Sequence, residues 1–147
     1  MADTVYNIAK ARMASGDLDL NADTIRMLLL KTTAAGAYDP DLTSVAAVLA
    51  VGSVAECDFT NYVRKDLASL TVTANNTDNR ADVDAANVTW TAAGGAANNT
   101  PAAALIYEFI TNDAGSFPIS YHDTNFASVA TNGGDYTVTI ADFLRLT

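Results

Sequence analysis

The chain has very few of the side chains that usually carry enzyme chemistry. Its 147 residues include one cysteine, Cys57, one histidine, His122, and only two glutamates, Glu56 and Glu108. A single cysteine excludes a disulfide within the chain, which is consistent with folding in a reducing cytosol. Because so few groups are available for acid–base work, we expect that the protein is not an enzyme and carries no cofactor.

Long hydrophobic runs and clustered basic residues are also missing. The longest apolar block, residues 45–51, is far shorter than the roughly 20 residues of a membrane span. Residues 1–10 lack the basic and apolar regions of a secretory signal. The net charge is −9, whereas nucleic-acid phosphates require clustered lysine and arginine. These absences predict no membrane segment and no nucleic-acid partner.

What the chain does have is an alternation of apolar and polar residues between Tyr62 and Trp90. Two alternating runs, residues 67–73 and 81–84, flank an Asn-Asn-Thr-Asp-Asn cluster, and Val-Thr-Trp follows at 88–90. A period of two that is interrupted by Asn and Asp clusters is typical of antiparallel strands with one face on a core. The pattern predicts a mainly β chain: a single domain, residues 1–147, forming an antiparallel β-sandwich or jelly-roll-like module with one or two short helices.

The remaining elements follow from spacing and turn residues. An amphipathic helix is expected at 2–13, capped by Asp3 or Thr4 and ended by Gly16 in a left-handed cap. A second helix is expected at 44–50, capped by Asp41 or Thr43. The apolar stretch 23–31 favours a strand buried on both faces, although a helical turn stays open. Further strands are predicted at 56–73 (a bent pair or one long edge strand), 104–110, 118–122, 136–140 and 143–146, with a hairpin-type turn at 132–135.

Most of the core is expected to come from apolar positions on these elements. They are Val5, Ile8, Ile25, Leu28, Leu30, Leu70, Val72, Val83, Trp90, Leu105, Tyr107, Val138 and Ile140.

Two nucleophile candidates are better explained as structural residues. Ser120, His122 and Asp123 are close in sequence, and we expect a strand not to bring them into the geometry of a catalytic triad. We interpret His122 as a strand-end residue that is hydrogen-bonded to a loop. Cys57 lies between two acidic residues that raise the pKa of a thiol, so a small apolar core residue is the better interpretation.

A metal site is the remaining chemistry to consider. Asp78, Asp82 and Asp84 have the same parity along one predicted strand, with Asn76 nearby, and hard cations prefer such oxygen ligands. The spacing does not fit a calcium loop, and Arg80 stands among the carboxylates. We therefore interpret the group as a solvated acidic face that Arg80 neutralises, and we predict no metal.

Four short motifs, taken in order, resemble a family of small tailed-bacteriophage virion structural proteins. They are Tyr-Asn-Ile-Ala-Lys at 6–10, Asp-Thr-Ile-Arg at 23–26, Tyr-Val-Arg-Lys at 62–65 and Val-Thr-Trp at 88–90. The resemblance spans residues 6 to about 140, and family members are head-decoration, head-fibre or minor tail proteins. It implies a virion component made in the host bacterial cytoplasm, without transferable catalytic residues. Its partners would be other virion proteins, such as capsid, portal, neck or tail proteins, and further copies of itself.

Two functional hypotheses follow from this resemblance. The first is a non-catalytic structural role on the capsid, neck or tail, through self-assembly and protein–protein contact. The alternative is a host-recognition module that binds a receptor or glycan, with the loop 91–103 and exposed Tyr121 and His122 as contacts. The candidate interface residues are Val5, Ile8, Arg12, Trp90, Asn98, Asn99, Tyr121 and His122.

Overall fold

The computed structural model describes residues 4–33, 38–123 and 129–147, and these form a mainly β structure with two short helices. The elements are β1 (Thr4–Val5), α1 (Asn7–Ser15), β2 (Ile25–Thr32), α2 (Val45–Leu49), β3 (Ala55–Glu56), β4 (Lys65–Asp66), β5 (Thr71–Asn75), β6 (Arg80–Asp84), β7 (Val88–Trp90), β8 (Ala103–Glu108), β9 (Phe117–His122), β10 (Tyr136–Val138) and β11 (Leu144–Leu146). All strand pairings among these elements are antiparallel. The predicted fold class, mainly β and sandwich-like, is confirmed.

The largest sheet is built around the apolar strand β2. Its strand order is β1-β9-β8-β2-β3, and β4 also pairs with β2. Leu28 and Leu30 lie on one face of β2, and Met27 and Leu29 lie on the other, all of them buried. Because both faces are covered, a nearly continuous apolar run is the expected sequence for this strand. The prediction of a strand buried on both faces is confirmed.

Two smaller sheets and one helix cover the two faces of the large sheet. One face packs with the sheets β10-β7 and β11-β6-β5, which contribute Val83, Trp90 and Val138 to a shared cluster. The other face carries a second cluster that includes Val45 and Val48 of α2. The large sheet is therefore the middle layer of the structure.

The helices begin later than predicted. Thr4 lies in β1, and α1 follows Tyr6, whose side chain makes no capping hydrogen bond. Residues 4 and 5 pair with β9 as a strand, so their backbone is extended and cannot also belong to a helix that starts at residue 2. Asp3, the other predicted cap, lies outside the described residues. Gly16 does end α1 in a left-handed conformation, φ +80°, as predicted.

The capping residue of α2 also differs from the prediction. Ser44 caps this helix, because its Oγ accepts a hydrogen bond from the Ala47 N–H at 3.1 Å. Asp41 and Thr43 were the predicted caps, and Asp41 instead accepts a hydrogen bond from the Asn7 side chain. Serine directly before the first helical residue is a strong N-cap, so the sequence did contain the correct signal.

Residues 56–73 do not form a bent strand pair or one long edge strand. Only the short β3 and β4 and the first residues of β5 are extended there, and turns separate them. The reason lies in the side chains of this segment: Tyr62 and Arg64 turn inward to reach Leu29 and Glu56 rather than alternating along a strand.

Two further predictions need correction. The turn at 132–135 does not close a local hairpin, because β10 pairs with the distant β7.

Val72 is not a core residue and is 45% exposed, although its strand partner Val83 is buried. Alternation placed Val72 on the correct face, but the core does not extend under β5. Of the other predicted core residues, Val5, Ile8 and Leu70 are half-buried against the core and the remainder are buried.

Candidate functional site

The most extensive polar cluster surrounds Arg64. The Arg64 Nε and Nη2 donate to the two carboxylate oxygens of Glu56 at 2.8 and 2.7 Å. The same guanidinium donates to both carboxylate oxygens of Asp113, with Nη2 to Oδ2 at 3.0 Å, and its Nη1 donates to the Tyr107 hydroxyl at 3.4 Å. Two-pronged pairing of this kind fixes the guanidinium plane. The cluster thus fastens the segment 56–64 to the turn that follows β8.

Tyr62 connects this cluster to the core. Its hydroxyl donates to Glu56 Oε1 at 2.8 Å and accepts from the Leu29 N–H at 3.0 Å, while its ring stacks on Trp90 with centroids 6.3 Å apart. Burial, and then the negative charge of Glu56, raise the pKa of Tyr62 well above its usual range. The hydrogen bonds to Glu56 and Asp113 raise the pKa of Arg64, so the guanidinium stays charged. This fixed protonation suits a structural cross-link rather than proton transfer.

A second ion pair joins α1 to the large sheet. Arg12 Nε and Nη2 donate to the Glu108 carboxylate at 2.9 Å each, and the guanidinium lies 4.2 Å from the centre of the Phe117 ring. Glu108 is only 3% exposed, and a buried carboxylate is costly without a partner of opposite charge. Arg12 is that partner. Arg12, a predicted interface residue, is therefore occupied within its own chain.

Ser120 and His122 form a close pair on one face of β9. The Ser120 Oγ is 2.8 Å from His122 Nε2, because residues two apart in a strand project to the same face. A contact between serine and histidine alone is not a triad, and the expectation that these residues and Asp123 do not form one stays a prediction. Both residues are fully buried within β9, and so is their neighbour Tyr121. The expectation that Tyr121 and His122 are exposed is therefore wrong, whereas their contact role stays a prediction.

Cys57 and Trp90 are interior residues. Cys57 is buried, and burial raises the pKa of its thiol to about 12. This agrees with its interpretation as an apolar core residue. Trp90 is fully buried and donates from Nε1 to the Val63 carbonyl at 2.7 Å, so it is a core residue and is not exposed for an interface.

The loop between β7 and β8 is folded on itself by its polar residues. The Asn98 side chain accepts from the Gly95 N–H at 2.8 Å, and Asn99 Oδ1 accepts from the Asp58 N–H at 2.7 Å. Asn98 is exposed and Asn99 is half-buried. The contact role predicted for these two asparagines stays a prediction, with their amide groups already used to shape the loop.

Gly94 has no room for a side chain in this loop. It has φ +90°, and a Cβ there would lie 2.2 Å from Asn98 Oδ1 and 2.7 Å from Thr131 Oγ1. Glycine is required at this position for both backbone and packing reasons.

Arg80 neutralises two of the three carboxylates of the predicted acidic face, Asp78 and Asp82. Asp78 lies in the turn before β6 rather than on the strand, and Asp84 Oδ1 accepts a hydrogen bond from the Ala85 N–H. Arg80 Nε pairs with Asp82 at 2.6 Å and Arg80 Nη2 pairs with Asp78 at 3.1 Å. The amide of Asn75, rather than that of Asn76, donates to Asp82 at 2.8 Å. This hydrogen bond, followed by Arg80, lowers the pKa of Asp82. Within residues 4–33, 38–123 and 129–147, no three His, Cys, Asp or Glu side chains are grouped so that they could hold a metal ion.

The two remaining interface candidates lie at the N-terminal segment. Val5 in β1 is half-buried and lines an open cleft together with Lys10, Arg145 and Leu146. Ile8 is half-buried against the cluster that contains α2.

The partners of Arg12 and Arg64 were not predicted from the sequence. The structure shows that both glutamates of this aspartate-rich chain are arginine partners, a pairing for which the sequence held no local signal.

Comparison with known proteins gives no match: no family model, no curated protein and no solved structure is similar to this chain. Among the described residues there is no helix with the length and apolar character needed to cross a membrane.

Proposed function

We propose that this chain is a non-catalytic structural protein of a bacteriophage virion, attached to the capsid, neck or tail through protein–protein contacts. The observation that carries the proposal is the use of its reactive side chains inside the fold. Glu56 and Glu108 each bind an arginine, His122 contacts Ser120, and Cys57 is buried with a raised thiol pKa. These are all the glutamate, histidine and cysteine residues of the chain.

The ordered motifs between residues 6 and 90 add the virion context, through their resemblance to small tailed-phage proteins. Cross-links between distant segments suit this role. Arg12 reaches a residue 96 positions away and Arg64 reaches one 49 positions away, so both hold the fold together without a disulfide. A virion protein leaves the cell after assembly and then depends on such contacts. Host recognition is less well supported, because two of its proposed contacts, Tyr121 and His122, are buried.

The experiment is made on virions of the phage that encodes the chain. Particles are purified by density gradient, their proteins are identified by mass spectrometry, and the chain is located by antibody labelling in electron microscopy. Particles from a phage with the gene deleted serve as the control for labelling. Presence at a constant ratio to the major capsid protein is the expected result. Absence from washed particles would overturn the proposal.

A further inference from the structure

The three-stranded sheet ends on β5, and no strand within residues 4–33, 38–123 and 129–147 pairs with its outer edge. β5 has five residues and is the longest strand that ends a sheet in the described part of the chain. The other terminal strands have two or three residues. An open edge presents unpaired N–H and C=O groups that can pair with another strand. β5 therefore offers the most extensive set of such groups.

β5 also lacks the features with which proteins usually protect an edge. Its sequence, Thr-Val-Thr-Ala-Asn, contains no charge and no proline, and residues 71–74 are exposed on both faces of the strand. By contrast, β3, β4 and β11 each carry a charged residue, and β1 has only two residues. Short length, charge and proline are the common protections of edge strands. An uncharged edge rich in threonine and valine instead favours pairing.

We propose that β5 pairs with β5 of a second copy of this chain, antiparallel and centred on Thr73. This pairing would join two three-stranded sheets into one six-stranded sheet. Val72 of each copy would lie opposite Ala74 of the other, and Thr71 opposite Asn75. The inference rests on the proposed structural role and deepens it, since it identifies the surface through which copies assemble.

Two-fold symmetry favours this orientation. An antiparallel pair of identical strands centred on one residue makes each contact twice, and two-fold dimers are the commonest homo-oligomers. The charges of Asp84 and Arg80 lie on β6, one strand behind β5, where Arg80 is already paired with Asp78 and Asp82. In either orientation the charges at the two ends of one row are about 14 Å apart and are screened, so they do not oppose the pairing. No charge is desolvated within β5 itself, and Val72, which is 45% exposed, gains an apolar neighbour.

The test compares two double variants of the full chain. Val72→Lys/Ala74→Lys would place lysines opposite each other twice in the paired strands. Val72→Lys/Ala74→Glu would place each lysine opposite a glutamate of the second copy, only in the antiparallel register centred on Thr73. Both variants change the same two exposed positions, so each controls for the folding of the other. Sedimentation over a dilution series measures the dimer dissociation constant, and circular dichroism verifies the fold.

We expect the wild type to dimerise and the Lys/Lys variant to show a dissociation constant raised about tenfold or more. The Lys/Glu variant should stay close to the wild type. A monomeric wild type, equal dimerisation of all three proteins, or loss of the dimer in both variants would each overturn the pairing.

Hydrogen exchange on the wild type gives a second measurement that needs no substitution. The outward-pointing amides of residues 71–75 should exchange more slowly at high protein concentration than at low concentration. Unchanged exchange across the dilution series would overturn the pairing even if a variant failed to fold. Failure here differs from failure of the virion role, because a chain that is monomeric in solution can still be found in purified particles.

Discussion

Truncation of Trp90 tests whether this residue closes the core between the sheets. The side chain is fully buried, stacks on Tyr62, lies 6.3 Å from the Tyr136 ring centre and donates to the Val63 carbonyl. Trp90→Ala removes the ring and leaves a cavity, which costs about 3–5 kcal/mol in well-packed cores. Domains of this size are stable by only about 5–15 kcal/mol, so the variant should be close to unfolding.

Trp90→Phe separates the two contributions to this loss. Phenylalanine keeps much of the apolar volume but cannot donate to Val63, so we expect a smaller loss of about 1–3 kcal/mol. Thr89→Val is the matched control in the same strand, because Thr89 alternates with the buried Val88 and Trp90 and its hydroxyl bonds the hydroxyl of the exposed Thr137. Its effect should stay within about 0.5 kcal/mol.

Urea unfolding followed by far-ultraviolet circular dichroism is the suitable assay, since fluorescence would lose its main reporter with Trp90. The midpoint should fall in the order wild type, Trp90→Phe, Trp90→Ala, and the Ala variant should melt about 10 °C or more below the wild type. An Ala variant with the midpoint and denaturant slope of the wild type would refute the assignment of Trp90 to the core.

Three further results are expected from the contacts described above. Arg12→Met should lower the free energy of unfolding by about 1–3 kcal/mol because it leaves the buried Glu108 carboxylate unpaired, whereas Arg12→Lys should lose less; equal stability of all three proteins would contradict this. The Cys57 thiol should resist a thiol reagent at pH 8 in the native protein and react after denaturation, so rapid native labelling would show that it is accessible. Burial raises the pKa of Tyr121 and Tyr136 to about 12 from their ordinary value of about 10. Unfolded chains lose these protons first, so stability should be unaffected below pH ~10 and fall as the pH rises toward 12, and tyrosinate absorbance should rise late in the native protein.

The sequence correctly predicted those elements that are specified by a few neighbouring residues alone. The apolar run of β2, the alternation on both sides of the 76–79 turn and the Gly16 cap are of this kind. Alternation tells which residues share a face but not whether another layer covers that face. Val72 and Val83 face the same side, and only Val83 lies over the core.

The partners of the arginines could not be predicted in this way. Arg12 and Glu108 are 96 positions apart, and Arg64 and Asp113 are 49 apart. Their pairing depends on how β8 and its following turn lie beside α1 and the segment before β4, which no local pattern specifies. Ser120 and His122 were a different case, because strand parity alone places both side chains on one face.

The exposed surface of the N-terminal segment also bears on where copies of this chain could meet. Tyr6 and Ala9 are fully buried, so the segment belongs to the fold rather than to a detachable arm. What α1 leaves exposed is mostly polar, including Asn7, which already bonds Asp41, and Lys10. A contact through that face would have to desolvate an amide and an ammonium group, and buried charges are costly without a partner. The edge of β5 requires no such desolvation of charge, and its backbone groups gain partners when a second strand arrives. The physical cost of association is therefore lower at β5 than at the outer face of α1.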